Sequence, residues 1–288
     1  MSTPAAFDLV KPRLFGLAYR MLGSRAEAED VVQETYVRWH QADEATIRNP
    51  EAWLVTAATR VAIDRLRALK VEREAYEGPW LPEPLIGPAP APPDRDVELA
   101  SDLSIAFLVL LERLAPEERA AFLLHDVFDC GYPEISALLG KSEAASRQIV
   151  HRARGRVRGE QQRFHSTEEA RERLLHTFVA AVEARDEQSL LRLFAPDASW
   201  TADGGGKAAA GPRPITGAPA IVKLLLGLQK RFAREGVTMR LGTVNGETGV
   251  LISLGDRIAA AVTIVTDGER IEHAYAIVNP DKLRTTIQ

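Results

Sequence analysis

The chain has 288 residues and a hydrophobic share of 45%, which suggests about two to three globular domains of roughly 100 to 200 residues each. No apolar stretch reaches the roughly 20 residues of a membrane-spanning helix and no signal peptide is visible, so we expect a cytoplasmic protein. The formal net charge of −4 excludes a uniformly basic nucleic-acid binder, although this sum conceals opposite local charges.

Three segments with helical periodicity open the chain, at residues 7–21, 26–41 and 50–74. At the start of the second segment, Ser24 and Glu27 are predicted to form a capping box. One face of this helix is expected to be filled by Val32, Tyr36 and Trp39. The opposite face then presents Asp30, Gln33, Glu34 and Val37.

Residues 76–101 are predicted to form a linker, because proline lacks an amide donor and clashes with the preceding helical turn. From residue 76 to residue 103 the chain contains six acidic residues and one arginine. The acidic linker separates the first helical segments from a second group, with helical patterns at 102–114, 116–127, 133–139 and 142–159.

The single cysteine, Cys130, falls in this second group and excludes an internal disulfide. A buried thiol and a redox sensor both remain open as interpretations. Because Cys130 has no Cys or His partners at ligand spacing, it makes a poor metal site. We expect no metal and no cofactor.

Residues 132–142 have the punctuation of a helix-turn-helix. Pro133 falls in the first turn of one helix, Gly140 lies just past its end, and Ser142 is placed to cap the next helix. In that next helix, the predicted buried stripe consists of Val150, Ala153 and Val157.

The outer face of the second helix carries positive charge. Its candidate base-reading residues are Arg147, Gln148 and His151, with Arg152 at the border, and its candidate phosphate contacts are Arg154, Arg156 and Arg158. From residue 141 to residue 158 there are six basic residues and one acidic residue. A helix face that is only solvated normally mixes both signs, so the pattern favours a DNA-binding face.

The segments DVVQETYVRW (30–39), PEAWL (50–54) and AIDRLR (62–67) resemble the second conserved region of the extracytoplasmic-function sigma factors, and the helix-turn-helix is similar to their fourth region. This resemblance implies an alternative sigma factor, which is a promoter-recognition subunit and not an enzyme. Its implied partners are core RNA polymerase and promoter DNA. The resemblance also implies that Asp30, Gln33 and Glu34 dock on the clamp coiled coil of the largest polymerase subunit.

The resemblance further implies that the third helix melts and binds the minus-ten promoter element. The candidate side chains are Trp53, Arg60, Arg65 and Arg67. Many relatives carry Asn where this chain has Arg60, which leaves the base preference at this position open. Trp53 is either a core anchor or a stacking platform for a base.

The character of the chain changes beyond residue 166. A predicted helix at 167–184 is followed by β-branched runs separated by Asn245-Gly246, Gly255-Asp256 and Asp267-Gly268, which are hairpin signals. These features predict an α+β domain. With the FAPDA segment at 194–198, this domain resembles the SnoaL-like fold, a cone-shaped α+β architecture.

Three short motifs look like the signatures of a sigma-factor subgroup with a fused SnoaL-like domain. They are WLPEP (80–84), DGGGK (203–207) and NPDKL (279–283). The resemblance implies a regulatory contact between domains through Trp80, Leu81, Pro82, Asp203, Gly204, Gly205, Gly206, Lys207, Asn279, Pro280, Asp281 and Lys282. The glycine-rich loop is either such a contact loop or a cradle for an anion.

The C-terminal domain also contains candidate acid/base groups, namely Asp203, Glu272 and His273, and Trp200 and Tyr275 are candidates to line a pocket. We expect His273 to face the interior of the cone. A lone His among apolar neighbours is more often a satisfied core residue than a catalyst, and we expect no catalysis. The competing class is a ligand-binding sensor or isomerase carried on a DNA-binding head.

The sequence therefore predicts two all-α domains, at 1–75 and 102–163, a proline-rich linker at 76–101, and a SnoaL-like domain at 166–288. The predicted function is promoter-specific transcription initiation, modulated in cis by the C-terminal domain. A separate anti-sigma protein is compatible with this prediction but is not implied by it.

Overall fold

The structure, a computed structural model, describes residues 3–43, 47–87, 103–161, 166–233 and 235–284. The chain divides into two compact units. The first contains Met1–Glu74 and Leu108–Gly159, and therefore both predicted helical domains. The second contains Ala75–Ala89 and Glu160–Gln288, with the short piece Ser104–Phe107. The linker residues 75–87 thus belong to the same unit as the C-terminal domain.

The first unit begins with three helices, α1 (Thr3–Leu22), α2 (Arg25–Gln41) and α3 (Pro50–Glu74). Their apolar side chains recur every three to four residues and bury one face of each helix, as Leu14, Val31 and Leu54 do. Gly23 has a φ of +66°, a backbone conformation that lets the chain turn sharply between α1 and α2.

The predicted capping box is wrong. Ser24 is the N-cap residue of α2, but its side chain makes no capping hydrogen bond. The carboxylate of Glu27 instead accepts hydrogen bonds from Arg65 of α3. Val32 and Trp39 are buried as expected, whereas Tyr36 is 36% exposed and packs edge-on against Phe7 at 4.8 Å between ring centroids.

Helix α4 (Ile105–Glu112) begins in the short piece Ser104–Phe107 and continues into the first unit, whose remaining helices are α5 (Pro116–Phe122), α6 (Tyr132–Leu139) and α7 (Glu143–Gln161). A π-helical turn, Leu123–Val127, extends α5, where the sequence predicts one regular helix. The amide of Phe128 donates to the carbonyl of Leu123, five residues earlier.

The helix-turn-helix consists of α6 and α7. Gly140 ends α6 with a φ of +64°, and the amide of Lys141 donates to the carbonyl of Ser136 at 3.0 Å. The hydroxyl of Ser142 accepts a hydrogen bond from the amide of Ala145 at 3.2 Å and so caps α7. The predicted stripe of Val150, Ala153 and Val157 is buried.

The second unit contains three helices and a mixed sheet. The helices are α8 (Glu168–Ala184), α9 (Glu187–Leu193) and α10 (Ala218–Phe232), and the strands are β1 (Phe194–Asp203), β2 (Ile215–Thr216), β3 (Val237–Val244), β4 (Glu247–Leu254), β5 (Arg257–Thr266) and β6 (Ile271–Ile277). The strand order is β2-β1-β6-β5-β4-β3, with β1 and β6 parallel. The helices pack on one sheet face around Phe178, Trp200 and Ile221. This is the α+β architecture expected of a SnoaL-like domain.

The three predicted hairpin turns are confirmed. Asn245 and Gly246 both have positive φ, as a two-residue turn between β3 and β4 requires. Gly255, the first residue of the two-residue turn between β4 and β5, and Gly268, in the four-residue turn between β5 and β6, also have positive φ. Helices α9 and α10 and the parallel pairing of β1 with β6 were not predicted.

Candidate functional site

The outer face of α7 is exposed at Arg147, Gln148, His151 and Arg152. The guanidinium of Arg147 lies over the ring of Tyr132, 5.1 Å from its centroid, and donates to Glu143 at 3.2 Å. Both contacts hold the side chain at the start of α7, the part of a recognition helix that reads base edges.

The predicted phosphate contacts of α7 already have partners within the first unit. Arg154 donates to both carboxylate oxygens of Asp126, at 2.6 and 2.9 Å. Arg156 donates to Glu118 at 2.7 Å. The side chain of Arg158 lies outside the described residues.

On α3, the four predicted minus-ten residues differ in their surroundings. Trp53 is half-buried and packs against Trp39 at 5.3 Å between ring centroids, whereas Arg60 is exposed. Arg65 donates to Glu27 at 2.6 Å, and this interaction raises the pKa of Arg65. Arg67 is exposed, so α3 presents Arg60 and Arg67 to solvent while Arg65 joins α3 to α2.

A cleft of about 580 Å³ separates α3 from the helix-turn-helix. The α3 side is lined by Trp53, Thr56 and Arg60, and the other side by Phe128 and residues of α6 such as Leu138. The predicted minus-ten face of α3 is therefore opposite the first helix of the helix-turn-helix within this unit.

Cys130 also lines this cleft. Burial, helped by the nearby carboxylates of Glu134 and Asp129 and opposed by Arg13, raises the pKa of the Cys130 thiol to about 11. A redox-sensing cysteine needs a thiolate near neutral pH. The environment of Cys130 therefore favours the structural thiol over the redox sensor.

A buried ion-pair cluster, here the Glu112 triad (Arg73, Glu112 and Arg119), joins the two helical regions. Glu112 accepts hydrogen bonds from Arg119 at 2.7 Å and from Arg73. The same guanidinium groups also donate to the last carbonyls of α1: Arg119 to Met21 at 2.7 Å and Arg73 to Leu22 at 2.6 Å. Burial lowers the pKa of Arg73.

The predicted polymerase-docking residues Asp30, Gln33 and Glu34 are all exposed on α2. Glu34 pairs with Arg38 one turn later, at 2.6 Å. The neighbouring Val37 is 47% exposed, which is high for an apolar side chain. The face thus offers carboxylates, an amide and an apolar side chain to a partner.

In the second unit, the three predicted motifs meet around one buried carboxylate. Asp203, which is 0% exposed, accepts hydrogen bonds from Tyr76 Oη at 2.5 Å, the amide of Leu81 at 2.8 Å and Lys282 Nζ at 2.6 Å. Asn279 completes the group by donating to Tyr76 Oη at 2.9 Å. We call these five residues the linker cluster. The cluster therefore contains four hydrogen-bond donors, three to the carboxylate and one to the tyrosine oxygen. These hydrogen bonds offset the free-energy cost of burying polar groups away from water.

Aromatic contacts reinforce the linker cluster. The ammonium of Lys282 lies 4.3 Å from the centroid of the Trp80 ring and 5.1 Å from that of Tyr76, in addition to its hydrogen bond to the carbonyl of Leu81 at 2.5 Å. Burial and the hydrogen bond to Asp203 raise the pKa of Tyr76.

The glycine-rich loop packs against the same group. Gly205 has a φ of +55°, and a Cβ at this position would overlap Asn279 and Tyr76. Gly206 has a φ of +68°, and a Cβ there would overlap Glu77. Lys207 forms an ion pair with Asp281, which lowers the pKa of Asp281. These contacts are those of a protein-contact loop rather than an open anion cradle.

Beyond Pro84 the linker pairs with the turn between β3 and β4. The amide of Leu85 donates to the side chain of Asn245 at 2.8 Å, and the amide of Asn245 donates back to the carbonyl of Leu85 at 2.8 Å. The amide of Gly87 donates to Thr243 at 3.1 Å. Neither Tyr76 nor Asn245 was predicted to contact the other domain segments. Asn245 was missed because the Asn245-Gly246 pair was interpreted only as a turn.

The expectation that His273 faces the cone interior is wrong. Ala274 is buried in the helix-covered core, and side chains alternate along a strand, so His273 points to the opposite face. There its Nδ1 lies 2.8 Å from the hydroxyl of Ser199. Trp200 is a core residue stacked on Phe178, and Asp203 is saturated by the linker cluster.

Within the ranges that the structure describes, no helix is long and apolar enough to cross a membrane. Among the same residues, no group of three or more His, Cys, Asp or Glu side chains is arranged to hold a metal ion.

Two protein-family models match separate parts of the chain. Sigma-70 region 2 matches residues 6–71, and Sigma-70, region 4 matches residues 104–157. The first range spans α1 to α3, and the second contains the helix-turn-helix.

Full-length relatives extend the similarity to the whole chain. The ECF RNA polymerase sigma factor SigJ of Mycobacterium tuberculosis is 36% identical over 290 residues, which span 96% of this chain and 91% of that protein. The probable ECF RNA polymerase sigma factor SigI of the same organism is 27% identical over 282 residues, spanning 97% and 94%. The structure of this chain also matches the crystal structure of Mycobacterium tuberculosis SigJ with a TM-score of 0.74 and 33% sequence identity. The match covers 96% of this chain and 97% of the SigJ chain.

Proposed function

The chain belongs to the extracytoplasmic-function (ECF) RNA polymerase sigma factors, and on that premise we propose that its C-terminal domain controls in cis how its helical regions engage polymerase and promoter. As an alternative sigma factor it directs transcription initiation and is not an enzyme. Its partners are core RNA polymerase and promoter DNA.

For these contacts we propose three surfaces of the first unit. The α2 face with Asp30, Gln33 and Glu34 docks on the clamp coiled coil of the polymerase. Trp53, Arg60 and Arg67 of α3 hold the melted minus-ten strand, with Arg65 fixing α3 in place. The start of α7, with Arg147, Gln148, His151 and Arg152, reads duplex DNA, and Arg158 adds a phosphate contact. Proposed domain limits remain 1–75, 102–163 and 166–288, with the linker at 76–101.

The proposed control acts through the linker. Helix α3 ends at Glu74, and only two residues later Tyr76 is hydrogen-bonded to Asp203 of the C-terminal domain. The chain stays attached as far as Gly87, at the turn after β3. Residues 76–87 are therefore held against the C-terminal domain. Only the rest of the linker is free to extend when the two helical regions separate.

The size of this effect follows from covalent geometry. Residues 76–103 span at most about 100 Å when fully extended, whereas residues 88–103 span at most about 55 Å. Docking the linker thus shortens the reach between the helical regions and raises their effective concentration for each other. A signal or partner that binds the released form better would shift the population toward it.

The single observation that carries this proposal is the buried Asp203 carboxylate shared by linker, loop and tail. The test is multi-round transcription with core polymerase on a cognate promoter, comparing the whole chain with Asp203→Ala. We expect output to change together with an increase in radius of gyration by small-angle scattering. Asp256→Ala, an exposed turn residue in the same domain, is the matched control.

Unchanged output and unchanged dimensions for Asp203→Ala would contradict control through the linker. A change in output with no change in dimensions would indicate a direct contact of the C-terminal domain with polymerase or DNA instead.

A further inference from the structure

A second cleft in the first unit lies between α3, the start of α5 and α7, with a volume of about 480 Å³. Its lining is rich in charge. Four cations, Arg67, Lys70, Lys141 and Arg152, surround the two carboxylates of Glu117 and Glu118. Arg67, Lys70 and Arg152 belong to α3 and α7, which the proposed function assigns to nucleic-acid binding, and Lys141 lies in the turn just before α7.

Glu117 bridges the two helical regions through opposite oxygens of one carboxylate. Its Oε1 accepts a hydrogen bond from Arg67 of α3 at 3.0 Å, and its Oε2 lies 3.1 Å from Lys141 Nζ, in the turn of the helix-turn-helix. Its side chain is 37% exposed, so the bridge lies at the surface.

Glu118 makes a parallel contact with Arg156 of α7 at 2.7 Å. Its carboxylate also caps α5 by accepting the amide of Ala115 at 3.1 Å. Glu118 therefore has a structural role in its own helix. Among the residues that the structure describes, the Glu117 carboxylate caps no helix, and its two partners are both cations, one on α3 and one in the turn of the helix-turn-helix.

A carboxylate whose two oxygens face two separate cations has the same charge and donor requirements as a phosphodiester with two non-bridging oxygens. We propose that Arg67 and Lys141 form a phosphate-binding site and that Glu117 occupies it in the free chain as an internal competitor of the DNA backbone. The inference rests on the proposed function, because it takes both cations as DNA contacts. DNA binding then requires Glu117 to give up its two partners.

Competition of this kind reduces the favourable free energy that each phosphate contact adds to DNA binding. When a phosphate replaces Glu117, the liberated carboxylate must be neutralised by a cation from solution, which offsets the counterions released from DNA. Removing the single carboxylate eliminates that offset of about one counterion. The expected result is tighter binding and a steeper dependence on salt, without any gain in sequence preference.

The experiment measures binding of the full chain to a fluorescent duplex by anisotropy over a series of salt concentrations, with a promoter duplex and a scrambled duplex. For Glu117→Gln we expect roughly twofold to tenfold tighter binding to both, the range set by one or two exposed ion pairs. The slope of log affinity against log salt should steepen by about one.

Glu29→Gln is the matched control, because Glu29 is an exposed carboxylate paired with Arg25 in α2, away from the cleft. Adding Arg67→Gln and Lys141→Gln to Glu117→Gln should abolish the gain. Circular dichroism melting verifies that each variant folds.

Equal affinity and slope for Glu117→Gln and Glu29→Gln would overturn the inference, as would a gain confined to the promoter duplex. If the wild-type chain with core polymerase gave no promoter-dependent transcription, the proposed function itself would fail. The two failures are thus distinguishable.

Discussion

Arg119, which is 1% exposed, donates to Glu112 at 2.7 Å and is the largest side chain fully buried among the described residues. Its guanidinium is held by a carboxylate of α4 and by the C-terminal carbonyl of Met21 in α1. A cation at the C-terminus of a helix also interacts favourably with the helix dipole. The contact between the two helical regions therefore depends on Glu112 balancing the charges of the buried Arg119 and the half-buried Arg73.

Glu112→Ala should destabilise the first unit by about 3 to 5 kcal/mol, because removing one partner of a buried ion pair leaves uncompensated charge. Arg73 and Arg119 would then repel each other. The measurement is the urea midpoint of the helical circular dichroism signal. Glu74→Ala removes an exposed carboxylate at the end of α3 and should leave the midpoint nearly unchanged. Equal midpoints for the two variants would contradict the assigned role of Glu112.

Cys130 should react slowly with iodoacetamide at pH 8. At pH 8, a pKa of about 11 leaves roughly 200-fold less thiolate than the ordinary value of about 8.5. Because the folded pKa lies above the unfolded one, the thiol stabilises the fold fully below about pH 8.5, and this contribution is lost as the pH rises toward 11. The rate should recover in urea.

The same thiol reports on the cleft between α3 and α6. Glu112→Ala should accelerate alkylation of Cys130 under native conditions, because loss of the Glu112 triad opens this contact. A native rate already equal to the rate in urea would contradict the burial of the thiol.

Gly205→Ala should disrupt the linker cluster. A left-handed backbone costs an alanine roughly 1 to 2 kcal/mol, and its Cβ would also displace Asn279 and Tyr76. Gly255→Ala is the control for backbone strain alone, because Gly255 has a similar φ of +59° and no neighbouring atom lies within 4 Å. The difference between the two variants therefore measures the overlap with Asn279 and Tyr76. We expect faster proteolysis of the linker and a lower melting temperature for Gly205→Ala than for Gly255→Ala. Identical behaviour would show that the close packing is unimportant.

Reversing the charge of Glu34 to Lys together with Gln33→Ala should abolish binding to core polymerase without loss of helix. Both side chains are exposed, so the substitutions remove no core packing. Glu29→Lys, on the same helix, is the control for charge alone. Co-purification with core enzyme measures the outcome, and full retention by the double variant would exclude this face as the docking surface.

The sequence predicted those features that local chemistry encodes. Asn245-Gly246 specifies a tight turn, and Gly140 followed by Ser142 specifies the break in the helix-turn-helix, because each requires only neighbouring residues. Helix α10 was missed since it follows a glycine- and proline-rich stretch that carries no clear period. The predicted capping box does not form, because the Glu27 carboxylate is stabilised more by the charged Arg65 guanidinium in α3 than by the amides at the start of its own helix.

Long-range pairings were beyond local patterns. The three linker motifs were predicted to act together, yet Tyr76 carries no local sign that it will contact Asp203, 127 positions later. The orientation of His273 depends on the parallel pairing of β6 with β1, which no local sequence pattern predicts.

The hydrogen bond between Tyr76 and Asn279 joins residues 203 positions apart, which has a consequence for how a new chain is made. At roughly 5 to 20 residues per second, a ribosome needs about 10 to 40 s to proceed from one to the other. When that interval begins, α1 to α3 are already synthesised, and α4 to α7 are added during it and can fold, while the partners of the linker in the tail do not yet exist. Each newly translated molecule therefore passes through a period in which its polymerase- and DNA-binding helices are complete and its linker is untethered from the tail.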